Sequence, residues 1–91
     1  MSELLVGRIV EVAETAGARA PSFLVTVDLG DHGREELVLS TGDYAPAELE
    51  GVQILCRRDG SEVRIAGAHS HGKGLVLLRP DRDVEDGTVV D

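Results

Sequence analysis

Short runs in which apolar and polar residues alternate constrain this chain more than any other feature. Phe23, Val25, Val27 and Leu29 fall on one side of such a run, with Thr26 and Asp28 on the other. That period of two marks a half-buried strand, because successive side chains of an extended backbone point to opposite faces. Leu5 to Glu11 (LVGRIVE) is an earlier run, rich in β-branched residues and largely apolar on both faces. Leu37 and Leu39 mark a third, Ile54 with Cys56 (or Leu55) a fourth, and Val63 with Ile65 a fifth. Leu75 to Leu78 is continuously apolar and reads as a sixth strand, buried on both faces.

The punctuation between the runs agrees. Gly30-Asp31-His32-Gly33 separates two of them, and Arg58-Asp59-Gly60-Ser61 separates two more, both with the residue types that tight hairpins need. The one helical turn is Ala45 to Glu50 (APAELE), with Pro46 near its start and Gly51 as its stop. Residues 13–22 are small and polar and read as a loop. The segment from Pro80 to Asp91 has no period, and its acids Asp81, Asp83, Glu85, Asp86 and Asp91 read as a solvated tail. Five or six short strands, with one helical turn between the third and fourth, define an all-β chain. They match the OB-fold, a five-stranded, partly open Greek-key barrel, with an SH3-like barrel as the other architecture.

Ninety-one residues make one domain, with a modest core that an oligomeric contact would help. Phe23 and Tyr44 are the only aromatics, so Val, Leu, Ile and Ala must build that core, and both rings are expected to pack there. The formal net charge is −8, from 17 carboxylates against 9 Lys and Arg, which disfavours indiscriminate attraction to phosphate backbones or anionic membranes. The single Cys56 excludes an internal disulfide and fits a reducing compartment. No basic n-region precedes an apolar run, and no apolar stretch approaches the ~20 residues that span a bilayer. The expected location is the cytoplasm.

Against that acidic background, residues 57–73 are locally cationic. Arg57, Arg58, Arg64 and Lys73 lie there with His69 and His71, and Asp59 and Glu62 are the only acids among them. A basic strand-and-loop surface on such a barrel suits a single-stranded nucleic acid or an acidic peptide. Nucleic-acid sites of this kind add stacking aromatics, and the segment has none. His69-Ser70-His71 with Cys56 supplies zinc-type ligands without the convergence a zinc site requires, so no metal and no cofactor is expected. Cys56 lies inside an apolar run, where a free thiol behaves as a small hydrophobe, so nucleophilic catalysis is not expected either. Gly72-Lys73-Gly74 is a turn, not a phosphate loop, since no Gly-Lys-Ser/Thr follows. The acids of the tail lack the glycine and distal glutamate of an EF-hand loop.

Several segments, in order along nearly the whole chain, resemble the tRNA-binding-domain (EMAP-like) family of OB-folds, closest to its CsaA-type secretion chaperones. They are Val6 to Val12 (VGRIVEV), residues 18–33 (ARAPSFLVTVDLGDHG) and Thr41 to Gly51 (TGDYAPAELEG). Arg64-Ile65-Ala66-Gly67 followed by Ser70, and residues 75–88 (LVLLRPDRDVEDGT), complete the pattern. The chain departs from it at Arg58 to Glu62 and at Ala68. The resemblance implies an OB barrel over residues 1–91 with 80–91 as its closing segment, a homodimer, and binding of unfolded or exported polypeptide. Sister branches imply tRNA instead.

The expectation is therefore a non-catalytic, dimeric, polypeptide-binding module. Arg57, Arg58, Arg64, His69, His71 and Lys73 are its candidate ligand contacts. Leu75, Val76, Leu77, Leu78, Val89 and Val90 are its candidate dimer or peptide contacts. The alternative is a tRNA or single-strand nucleic-acid binder using the basic 57–73 segment.

Overall fold

The computed structural model describes residues 2–14, 22–40, 44–72 and 74–91. Among the described residues there are eight strands: β1 (Ser2–Glu14), β2 (Phe23–Asp28), β3 (Arg34–Leu39), β4 (Gln53–Asp59), β5 (Glu62–Ile65), β6 (Gly67–Ser70), β7 (Gly74–Leu77) and β8 (Val89–Val90). A helical turn, α1 (Pro46–Leu49), joins β3 to β4. The main sheet runs β3-β2-β1-β4-β5, with β8 also on β1, while β6 and β7 form a separate antiparallel pair. The result is an all-β, OB-like barrel.

β1 organises it. The strand is longer than the Leu5–Glu11 run in the sequence, reaching Glu14 and so taking in residues 13 and 14, expected to be loop. Its first half pairs with β4 from Ser2 to Arg8, and its second with β2 from Arg8 to Glu14. The change of partner coincides with a register shift between Ile9 and Glu11, an extra residue that bends the strand and lets one element serve both halves of a barrel. Alternation alone cannot show a bulge, because the bulge breaks the alternation.

The core follows the runs. Leu5, Ile9, Val25, Val27, Leu39, Ile54 and Cys56 are fully buried, and Leu49 brings α1 onto the same cluster. In β2 the buried and half-buried residues alternate strictly. α1 starts at Pro46, with the Ala45 N–H donating to Glu48 Oε1 at 3.0 Å. Burying Leu49 is what this short helix contributes. Both aromatics are committed: Phe23 is buried, and Tyr44 packs on the core while its hydroxyl accepts the Leu77 N–H at 3.1 Å.

Two expectations need correction. Leu75 to Leu78 is not buried on both faces: Leu77 is in the core, Leu75 and Val76 are half-buried, and Leu78 is exposed. In a barrel this small, one face of β7 has no second layer above it. The 80–91 segment is not a solvated tail. Gln53, the buried polar residue of β4, donates to the Val84 carbonyl at 2.6 Å and to Asp86 Oδ1 at 2.9 Å, and its own Oε1 accepts the Val84 N–H at 3.0 Å. Arg8 donates to Asp86 Oδ1 at 3.2 Å and to Asp83 Oδ1 at 2.8 Å. Val89–Val90 then adds to β1 opposite Leu5 and Leu4. The segment passes so close to the turn after β2 that a Cβ on Gly30 would collide with the Asp86 carbonyl, and one on Gly87 with the Leu29 carbonyl. Both glycines also have positive φ, so side chains are excluded there twice over.

Candidate functional site

The turn Gly60-Ser61 closes the β4–β5 hairpin with Asp59 opposite Glu62, Arg58 opposite Val63 and Arg57 opposite Arg64. Two arginines therefore stand directly across from each other on the outer face, with Cβ atoms of such a pair roughly 4.5–5.5 Å apart. On the far side of β4, Leu4 of β1 is the register partner of Arg57. Arg57, Arg64 and Leu4, together with Leu78, line a groove of about 330 Å³ whose base is Ile65 to Gly67.

A second groove, of about 480 Å³, adjoins it. The barrel does not close by hydrogen bonding between β3 and β5. Leu37 and Val38 of β3 face Val63 and Ile65 of β5 across this gap, with Leu75 and His69 at one end. Arg64 and Ile65 line both grooves, which makes them one track along β5. Among the described residues, neither groove has a carboxylate in its lining.

The basic residues singled out in the sequence do not form one patch. Arg57 and Arg64 come together; of the two, His69 shares the second groove with Arg64 alone. Arg58 points to the opposite face of β4, where it forms an ion pair with Glu3 and its Nη1 lies 2.8 Å from His32 Nδ1. Alternation in a strand separates Arg57 from Arg58 however close they are in sequence. His71 is exposed in the turn after β6 and lines neither groove. Lys73 lies outside the described residues. Among the six apolar contact candidates, Leu78 and Val89 are exposed, Leu75, Val76 and Val90 are half-buried, and Leu77 is taken up by its own barrel.

Leu4, Ile65 and Val38 were missed as groove walls. The hairpin itself was legible in sequence, but its register was not: a two-residue Asp59-Gly60 loop would set Arg57 opposite Glu62, whereas the loop is Gly60-Ser61 and sets Arg57 opposite Arg64. No count along the chain brings β3 beside β5.

The chemistry on offer is recognition. Cys56 is fully buried, and desolvation pushes its thiol up to about 11, the reverse of what a nucleophile needs. Among the described residues no three His, Cys, Asp or Glu side chains come together to hold a metal ion. No helix among the described residues is long and apolar enough to cross a membrane.

Comparison with known proteins points the same way as the barrel. The chaperone CsaA of Bacillus anthracis superposes with a TM-score of 0.85 and 26% identity, over 99% of this chain and 91% of that one. CsaA of Picrophilus torridus superposes with a TM-score of 0.84 and 26% identity, over 99% of this chain and 92% of that one. In sequence, 97% of the chain aligns with methionine–tRNA ligases of Archaeoglobus fulgidus (28% identical) and Methanococcus aeolicus (30% identical). The chain spans 14% of the length of each of those ligases. No protein-family profile matches it. The resemblance to the tRNA-binding-domain family, close to CsaA, thus holds in sequence and in fold.

Proposed function

We propose that this protein is a non-catalytic binding module that takes up unfolded or exported polypeptide, in the manner the name of its CsaA neighbours implies. The observation that carries polypeptide over nucleic acid is the commitment of both aromatics, Phe23 in the core and Tyr44 to the Leu77 amide. Single-strand binders of this fold draw about 1–3 kcal/mol per base from stacking, and no ring is left to supply it. A polypeptide needs instead apolar walls and a few polar anchors, which the track along β5 offers. The net charge of −8 adds a long-range repulsion to any polyanion.

Fluorescence anisotropy with a labelled, reduced and carboxymethylated polypeptide, run beside labelled tRNA at low and high salt, tests this. Polypeptide binding that survives high salt supports it. Binding of tRNA alone, with affinity falling steeply as salt rises, overturns it in favour of the second reading. That reading draws on the similarity to two methionine–tRNA ligases and on the exposed, facing arginines Arg57 and Arg64.

The working unit is proposed to be a homodimer. Leu78 and Val89 are large apolar residues left exposed, Leu75, Val76 and Val90 are half-buried, and a core this modest gains from a second layer. Light scattering should return twice the chain mass at micromolar concentration. A monomer there refutes the dimer and leaves the ligand reading standing.

A further inference from the structure

Three arginines of this acidic chain hold nearby carboxylates: Arg8 has Asp83 and Asp86, Arg34 has Asp28, and Arg58 has Glu3. Arg82, almost fully exposed, has Asp81 only at 3.9 Å. The Arg57–Arg64 pair is set apart by its place, directly across a hairpin at the edge of a groove. Arg57 reaches only the Ser2 hydroxyl, at a long 3.5 Å, and has no carboxylate among the described residues. Arg64 has Glu62 at 3.7 Å, with both side chains mostly exposed, a geometry that contributes little. Like charges directly opposite each other on a sheet are destabilising. Among the described residues no carboxylate lines the groove that both guanidinium groups border, nor the second groove that Arg64 also lines.

A weakly neutralised arginine pair, one member of which lines both apolar-walled grooves, suits an anion carried on an apolar strand. We propose that Arg57 and Arg64 form a subsite for a side-chain carboxylate of an extended polypeptide, whose neighbouring apolar residues lie against Leu4 and Leu78 on one side and Val38 and Leu75 on the other. This rests on the polypeptide reading and names the sequence that reading would prefer: an acidic residue flanked by apolar ones. The pair's spacing lets both planar forks converge on one carboxylate, each with charge-assisted bonds of about 2.7–2.9 Å. Four residues of β5 span roughly 13 Å, the length of about four extended ligand residues. A phosphodiester would meet the same two arginines but would bring the whole-chain repulsion and find nothing to stack on.

The test uses a fluorescein-labelled peptide of alternating Leu and Asp and its twin with Asn in place of Asp, titrated by anisotropy into the full chain. The wild type should bind the Asp peptide at least about tenfold tighter than the twin, a difference of about 1.4 kcal/mol. The Arg57→Gln/Arg64→Gln variant should bind both equally, and Arg57→Lys/Arg64→Lys should retain part of the preference. Arg34→Gln/Arg79→Gln removes the same charge elsewhere and should keep the preference whole. Both groove arginines are exposed or on the rim, and an unchanged circular-dichroism spectrum and urea midpoint for each variant certify the fold. If the twin binds the wild type as tightly as the Asp peptide, or the double Gln variant still discriminates, the carboxylate subsite is refuted while polypeptide binding stands. If neither peptide binds and a single-stranded RNA does, the polypeptide reading falls with it.

Discussion

Replacing Gln53 with Leu should detach the closing segment without emptying the barrel. The Gln53 amide makes three hydrogen bonds to residues 84 and 86, at 2.6, 2.9 and 3.0 Å, and Gln53 is 6% exposed. At about 1 kcal/mol net for each bond, their loss costs about 3 kcal/mol. Leucine is nearly isosteric and gains apolar burial, which offsets about 1 kcal/mol of that. The partners are only partly buried, so water satisfies them once the segment lifts. The net expectation is about 2 kcal/mol, or a fall in Tm of roughly 8–16 °C for a chain of this size. Urea unfolding measures the first and calorimetry the second, while hydrogen exchange should show amides 84–90 losing protection ahead of those of β2. A loss below about 0.5 kcal/mol, or unchanged protection over 84–90, would mean that Gln53 does not hold the segment.

Further outcomes follow from the same geometry. Gly87→Ala should release the closing segment too, by forcing a Cβ against the Leu29 carbonyl at a positive φ, and its hydrogen-exchange pattern should match that of Gln53→Leu. Tyr44→Phe removes the acceptor of the Leu77 N–H and should cost about 1 kcal/mol, read by urea unfolding as a shifted midpoint with an unchanged slope. Cys56 titrates near 9.0 when unfolded and about 11 when folded, because burial disfavours the thiolate. The sign is that of an acid with a raised folded value: stability is whole below about pH 9 and falls as pH rises from 9 towards 11, by at most about 3 kcal/mol. Cys56→Ala, though less stable overall, should lack that alkaline decline, and the folded wild type should react with a thiol reagent only through unfolding.

Much of the binding face stayed hidden because its parts come from strands distant in sequence. Arg57, Arg64 and His69 were visible as charge in an acidic chain, but Arg58 belonged to the same run and proved to face the other way, tied to Glu3. The walls Leu4 and Val38 carried no signal, since an apolar residue on a strand reads as core until the sheet's outer face is known.

What this sequence determined alone is local: strands from the period of two, turns from glycine and Asp-Gly, and a helical stop at Gly51. These depend on interactions within a few residues, which a linear chain displays directly. Tertiary structure decided the rest. The bend in β1, the open seam between β3 and β5, and the docking of residues 83–90 onto Arg8, Gln53 and β1 all depend on partners 15 or more residues apart. There the closing segment changes from an acidic tail to part of the barrel, because the charges that look solvated in sequence find their cation and amide only after the chain has folded.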